Sequence, residues 1–343
     1  MSSSQSETFQ QMPNTDGQEN QAPATLARTA ALNDFDQVRA SFSNWEGQID
    51  QLSTGRFSGT LRVVRGNSMR LLAIEGNQQI LLRGRDATGT FSVYPVIPGN
   101  AGSTWRGHRL SSGHLVVVGT DVEVEHNSAR TTQNLGVTLG AKELNAAGRI
   151  LRADKLDEML HTWAAFSPPP EIFDRLTRRL NALLKNGIAD PTVLGTPEGH
   201  RLEQECLRSV VAAVFPESAR GPELSLPGRS LLIRRAEEFM RARLGDPIGA
   251  IDLCRELGVS DRTLRLAFRE RFGLGPMVYY KSLRLNAVRA MLRTSPEASI
   301  ADVARAIGFH HLGNFASDYR RQFGERPSQT DRSDSQIVGM DSQ

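Results

Sequence analysis

"IDLCRELGVSDRTLRLAFRERFG" runs from Ile251 to Gly273, and "ADVARAIGFHHLGNFASDYRRQFG" runs from Ala301 to Gly324. The two stretches align as copies of one short device. Leu253, Cys254 and Leu257 are apolar at helical spacing, and so are Val303, Ala304 and Ile307. Gly258 and Gly308 stop these first helices, because glycine adopts the left-handed terminal conformation without a Cβ clash. Ser260 is placed to cap a second helix by accepting from a free backbone N–H. That helix is expected to bury Leu264, Ala267, Phe268 and Phe272, and its counterpart Phe315, Tyr319 and Phe323. The first helices align at an offset of 50 and the second at 51, so the second turn holds one extra residue. A helix, a short turn with glycine and a second helix make a helix-turn-helix. One such pattern arises readily in helical proteins; two matched copies are hard to explain as plain packing.

The residues outside the buried stripes decide what the device does. On the first copy these are Arg262, Thr263, Arg265 and Arg269, and on the second His311, Asn314, Ser317 and Arg321. Arginine grips guanine or a phosphate with paired bonds, and asparagine matches adenine. Arg321 suits a phosphate. The local charge agrees: residues 229–330 hold 18 Lys/Arg, all but Lys281 arginine, against 11 Asp/Glu, while the 343-residue chain has a formal charge of only +3. An arginine-rich segment on a slightly acidic body points to a polyanion partner.

Between the copies, "GPMVYYKSLRLNAVRAMLRTSP" (Gly275–Pro296) reads as one helix, opened by Pro276. Tyr279, Leu283, Ala287 and Leu292 form its apolar side, with Lys281, Arg284 and Arg289 elsewhere. From Pro276 to Leu292 it spans roughly 25 Å at 1.5 Å per residue. That length can hold two reading helices near one DNA turn apart, roughly 34 Å. One chain can then enter two successive major grooves, which otherwise takes a dimer.

The stretch from about Leu231 to Thr330 resembles the DNA-binding domain of AraC/XylS-family transcription regulators. The likeness rests on "DLCRELGVSDRTLRLAFRERFG", "RLNAVRAML" and "ADVARAIGFHHLGNFASDYRRQFGERPS". It implies that Arg262, Arg265 and Leu266 occupy reading positions in the first unit, and Leu312, Gly313, Asn314 and Ser317 in the second. The second set is poor in donors, so that helix is expected to anchor mainly to phosphates. "SNWEGQIDQLSTGRFSGTL" (Ser43–Leu61) resembles the sensory half of a subgroup that includes regulators of ethanolamine use. "GPMVYYKSLRLNAVR" and "GFHHLGNFASDYRRQF" fit the same subgroup. The likeness implies a cupin-like β-barrel that senses a small-molecule effector, and RNA polymerase as a further partner of an activator.

Residues 32–138 are strand-like on their own terms. "GTLRVVRG", "SMRLLAIEG", "NQQILLRG", "TFSVYPVIPG" and "HLVVVGTDVEVEH" are β-favouring runs ended by Gly, Asn or Pro, the pattern of a barrel or sandwich. A helix is expected before them, around Asp34 to Gln51, with Trp45 packing it onto the sheet. From Lys142 to Phe215 the period is helical. Ile172, Phe173, Leu176, Leu180, Leu183 and Leu184 share a face after the run Pro168 to Pro170, and "GHRLEQECLRSVVAAVF" makes a further helix. This section suits a homodimer seam or a lid on the β-domain. "PESARGPELSLPG" (Pro216–Gly228) has linker composition. The expected layout is α+β: a disordered tail 1–27, a sensory and dimerisation domain 28–215 with its barrel at 32–138 and helices at 142–215, and a linker 216–228. An all-α DNA-binding domain 229–330 and a polar tail 331–343 complete it.

Other chemistry finds little support. Cys206 and Cys254 lie in apolar helical patterns and read as buried thiols of a reducing cytosol. The N-terminus lacks signal-peptide character, and no apolar run approaches the ~20 residues that span a bilayer. His108, His114 and His126 lack a His-x-His pair and read as surface or turn residues. Trp105 reads first as a core residue, with the wall of a ligand pocket as the alternative. "RGRDATGT" (Arg83–Thr90) lacks the Gly-Lys-Ser/Thr end of a phosphate cradle. No metal or cofactor is expected. The expectation is a cytoplasmic, nucleoid-associated regulator that binds double-stranded promoter DNA and answers to a small molecule. The alternative is a cupin-type metal enzyme carrying a DNA-binding tail.

Overall fold

The computed structural model describes residues 26–39, 45–85, 89–140, 143–144, 163–215 and 230–332. Its N-terminal part is made of β1 (Leu26–Leu32), a single helical turn α1 (Asp36–Arg39), β2 (Glu46–Gln51), β3 (Gly59–Arg65), β4 (Met69–Gly76), β5 (Ile80–Arg85) and β6 (Thr90–Pro95). Then come β7 (Thr104–Trp105), β8 (His108–Arg109), β9 (Leu115–Val118), β10 (Glu123–Asn127), β11 (Thr132–Gly140) and β12 (Trp163–Phe166). Two antiparallel sheets result, ordered β1-β3-β4-β11-β6-β9-β12 and β2-β5-β10-β7-β8. The closed cupin-like barrel expected from the sequence is thus two sheets stacked face to face. Alternating burial announces which face of a strand is covered; it does not announce whether the edges pair.

The larger sheet is covered on both sides. Leu71, Val93, Val117 and Val137 pack under α2 (Pro170–Ala189) and α3 (Pro197–Val214). Leu61, Val63, Ile74 and Val116 face the smaller sheet. This double burial explains why β9 is an unbroken apolar run, "LVVV", with all four residues buried. The expected helical face of α2 is present: Phe173, Leu176, Leu180, Leu183 and Leu184 are buried.

Three local expectations are corrected. The helix expected over Asp34 to Gln51 is only the turn α1 followed by β2. Trp45, Ile49 and Leu52 have helical spacing, but Ile49 pairs with Leu82 across β2 and β5, and Leu52 packs among the C-terminal helices. The section expected to be helical from Lys142 contains β12, which pairs with β9; residues 145–162 lie outside those described. Leu26 and Ala27, expected in the disordered tail, belong to β1 and pair with Arg65 and Val64. Residues 1–25, the linker 216–228 and the tail beyond Arg332 lie outside the described residues.

The C-terminal part is helical: α4 (Ser230–Arg241), α5 (Ala250–Leu257), α6 (Asp261–Phe272), α7 (Pro276–Thr294), α8 (Ile300–Ala306) and α9 (Leu312–Phe323). Leu52 and Leu81 of the β-part join Met240, Leu253, Phe268 and Tyr279 in one cluster. Leu285, Val288 and Leu292 of α7 join the cluster that fills the sandwich. The single apolar side expected for α7 is therefore too narrow, because this helix is covered by the β-part as well as by its own neighbours. Among the described residues no helix is long and apolar enough to cross a membrane.

Candidate nucleic-acid interface and enclosed cavity

In the first unit Asp252 accepts from the Gly249 N–H at 2.8 Å to open α5, and Gly258 ends it at φ 66°. The Ser260 Oγ accepts from the Thr263 N–H at 3.1 Å and opens α6. Leu264, Ala267, Phe268 and Phe272 are buried, and Phe272 stacks on Tyr279 of α7 with ring centroids 4.3 Å apart. Arg262, Arg265 and Arg269 stand exposed on the opposite face. Leu266 stands with them, 42 % exposed, an apolar group suited to a thymine methyl. Thr263 is half-buried, with its hydroxyl 2.9 Å from Ser260 Oγ, so it serves the cap. Arg265 donates its Nε to Asp261 Oδ2 at 2.6 Å, which aims the guanidinium along the helix.

The second unit repeats the frame with a different surface. Arg284 of α7 donates Nε and Nη2 to the Ile307 carbonyl at 2.8 and 2.6 Å, closing the end of α8, and lies over the Phe309 ring. His311 precedes α9 as its cap position without a side-chain cap bond. His311, Gly313, Asn314, Ser317 and Arg321 are exposed; Leu312 is half-buried against the core. Arg321 donates to Asp318 at 2.9 Å, and the same carboxylate pairs with Lys281 of α7. The acid on α9 thus engages two of the cations near it. Arg289, expected on an outer side of α7, is buried between Asp34 at 2.5 Å and Asp36 at 2.6 Å. Burial works against its charge, and the two carboxylates outweigh it, leaving its pKa raised.

The helices dock on the outer side of the smaller sheet through polar contacts. Arg83 of β5 bridges Glu125 at 3.0 Å and Glu237 of α4 at 2.5 Å. Arg241 pairs with the buried Asp50 at 2.9 Å. Arg271, in the last turn of α6, pairs with Glu125 of β10, and Asn127 donates to the Arg271 carbonyl at 3.0 Å. Burial raises the pKa of Glu125, but Arg83 and Arg271 outweigh it and hold the carboxyl below its ordinary value.

The inner side of β10 faces a cavity of about 70 Å³ between the sheets. Trp45, Phe57, Tyr94, Trp105, His126 and Asn134 contribute to its wall. Among the described residues that line it there is no Asp, Glu, Lys or Arg. His126 pairs across the strands with Trp105, ring centroids 5.8 Å apart. It contributes to the cavity wall, and burial pushes its pKa down to about 4, so the imidazole is neutral near pH 7. His108 is also inside, its pKa lowered by burial and then by Arg271 and Arg106. Both residues correct the surface reading of the histidines. His114 closes a turn, its Nδ1 accepting from the Ser111 N–H at 3.0 Å. Among the described residues no three His, Cys, Asp or Glu side chains gather as a metal site. Cys206 is buried, with its thiol pushed up to about 12 by burial, whereas Cys254 is only partly buried.

A helix-turn-helix domain family matches residues 253–333. A probable thc operon regulatory protein of Rhodococcus erythropolis is 28% identical, with 61% of this chain and 78% of the relative covered. XylDLEGF operon transcriptional activator 2 of Pseudomonas putida is 38% identical over 28% of this chain and 62% of the relative. A probable AraC family transcriptional regulator from Rhodopseudomonas palustris, known as a crystal structure, is 35% identical over 29% of this chain and 94% of its own, with a TM-score of 0.28. Residues 253–333 are a helix-turn-helix domain, and the protein is a DNA-binding transcriptional regulator similar to these operon regulators.

In this DNA-binding transcriptional regulator the C-terminal helices carry the helix-turn-helix units and follow the two-sheet β-part. The metal-enzyme alternative finds no support, since the relatives are named as regulators. The sequence reading missed Asp34, Asp50, Glu125 and Glu237, the acids that hold the helices to the sheet. Their partners lie more than a hundred residues away along the chain, so no local spacing announces them. His126 carried one usable signal: with Val124 and Glu125 it alternates as a strand does, which assigns it to the inner face.

Proposed function

We propose that this regulator is a small-molecule-responsive activator that reads promoter DNA with α6 and α9 in successive major grooves. The observation that carries the reading is the repeated helix pair whose second helices keep Arg262, Arg265, Leu266 and Arg269, and Gly313, Asn314, Ser317 and Arg321, exposed while the opposite faces are buried. Arg262, Arg265 and Leu266 supply base contacts, and Arg269 grips phosphate. On α9 Asn314 and Ser317 touch bases weakly, while His311 and Arg321 anchor to the backbone. The inter-sheet cavity is the candidate effector site: its wall is mostly apolar, with the aromatic Trp45, Phe57, Tyr94 and Trp105 beside the polar Gln78, Asn100, Thr132 and Asn134. The relatives named as operon activators support activation, with RNA polymerase as the further partner. Placement in the cytoplasm on the nucleoid follows from promoter binding, and a homodimer through α2 and α3 extends the reading. The Ser43–Leu61 motif favours the ethanolamine-regulator subgroup.

Genome-wide DNA occupancy of the tagged protein tests this. Discrete peaks are expected, sharing two half-sites one helical turn apart. Diffuse binding without a common motif would overturn the two-unit reading.

A further inference from the structure

We infer that Gln51 and Asn127 are positioning residues for DNA reading: each gives a side-chain amide of the β-part to the equivalent carbonyl at the end of one reading helix, and the pair fixes how α6 and α9 stand relative to each other. This rests on the proposal that both helices enter the same duplex. Three observations carry it.

The first comes from the repeat. Arg271 and Gln322 each lie two residues before the glycine that closes their helix, Gly273 and Gly324, so their carbonyls are equivalent positions of the two units. Both lie in a last turn, where backbone carbonyls lack an intrahelical partner. Asn127 donates Nδ2 to the Arg271 carbonyl at 3.0 Å, and Gln51 donates Nε2 to the Gln322 carbonyl at 2.7 Å. Both donors belong to the β-part, and both side chains are buried.

The second is that the two amides share one frame. Gln51 ends β2 and Asn127 ends β10, on either side of β5, where they pair with Ile80 and Leu81. Gln79, just before β5, ties the two segments. Its carbonyl accepts from the Leu52 N–H at 2.9 Å, and its own N–H donates to Ser53 Oγ at 2.8 Å. Its Nε2 donates to Asn127 Oδ1 at 2.9 Å and to the Phe272 carbonyl at 3.1 Å. With Oδ1 engaged in this way, Nδ2 is the atom that Asn127 turns to α6. On the other side the Gly55 N–H reaches the Arg321 and Gln322 carbonyls at 3.1 Å, and Gln322 returns its Nε2 to the Gln51 carbonyl at 2.7 Å. A shift at one helix end therefore strains the frame that holds the other.

The third is that these bonds spare the reading faces. Arg262, Arg265, Asn314 and Ser317 are exposed in the earlier turns of their helices, away from the held ends. Loss of an amide leaves each unit its own contacts and removes only the fixed relation between the units.

The test is a set of anisotropy titrations with the full-length protein, its Asn127→Leu variant and its Gln51→Met variant. The probes are a duplex from the strongest occupancy peak with both half-sites, duplexes keeping one half-site each, and a duplex with 1 bp inserted between the half-sites. The parent is expected to bind the paired site at least about tenfold more tightly than either half-site alone. Each variant should lose about threefold or more of that gain, with affinity for the single half-sites unchanged. The insertion should weaken each variant less than the parent, because a loosened pair tolerates a changed spacing. Thermal unfolding establishes that each variant is folded; Asn127→Ser and Gln51→Ser, whose hydroxyls do not reach the helix ends, replace one that is not. An unchanged gain, or an equal loss on every duplex, overturns the inference while the two-unit reading stands. A parent that gains nothing from the second half-site overturns the two-unit reading and the inference with it.

Discussion

Gly258 and Gly308 end equivalent helices at φ 66° and 78°, yet their surroundings differ. A Cβ on Gly258 meets open space, whereas one on Gly308 lies 2.5 Å from the Gly245 carbonyl and collides with the Arg284 guanidinium. Gly258→Ala is expected to cost about 1–2 kcal/mol, the strain of a left-handed alanine. Gly308→Ala adds roughly 1–3 kcal/mol of overpacking. Urea unfolding of the two variants measures the gap, and equal losses would mean that the Gly245 loop yields freely. On the DNA face, Arg262→Ala and Arg265→Ala are each expected to weaken a specific site by about 1–3 kcal/mol. Arg269→Ala should weaken specific and scrambled DNA alike and lower the salt slope by about 0.9. Anisotropy titrations on both duplexes at several salt concentrations separate the two behaviours. At this scale the buried stripes were legible, because Leu264, Phe268, Phe315 and Tyr319 recur at helical spacing on amphipathic helices. Arg289 was not: a basic residue placed off the apolar side of its helix is buried against Asp34, 255 residues away.

Strand β10 separates two kinds of chemistry. Val124 and His126 face the cavity, while Glu125 and Asn127 hold the end of α6. A period-2 element thereby places the cavity and the end of α6 on opposite sides of five residues. The sequence showed β10 as a strand but could not show what its outer face meets. His126 gives the element a pH signature. Its pKa falls from 6.5 to about 4 on folding because burial disfavours the imidazolium. The stability it contributes is fully present above pH 6.5 and is lost as pH falls toward 4. The loss amounts to on the order of 2–3 kcal/mol. Glu125, whose pKa is lowered, loses its contribution in the same direction at still lower pH, whereas Asp36, whose pKa burial raises, opposes the trend. His126→Phe isolates the histidine. Between pH 7 and 4.5 its unfolding free energy should vary clearly less than that of the parent protein; an unchanged slope would place the titration elsewhere.

At the scale of the molecule, α7 both joins the two helix-turn-helix units and seats the β-part. Asn286 accepts from the Gln51 N–H at 3.0 Å and donates to its carbonyl at 2.9 Å, and Arg289 is held by Asp34 and Asp36. A 19-residue helix clamped in this way spans roughly 28 Å and does not bend to suit its target. The separation of α6 and α9 is therefore a property of one rigid chain, unlike that of a dimer whose halves are linked by flexible segments. This difference has a measurable consequence. Inserting 5 bp between the half-sites turns the second groove to the far side of the duplex. Inserting 10 bp returns it to the same side but about 34 Å further along. A flexibly linked pair recovers much of its affinity with the longer insertion. For this chain both insertions are expected to reduce binding to that of a single unit, a loss within the 10²–10⁴-fold gain that tethering gives. Recovery at 10 bp, seen in a gel-shift series at protein concentrations where the chain is monomeric, would mean that α7 is not the ruler and that two chains share the site.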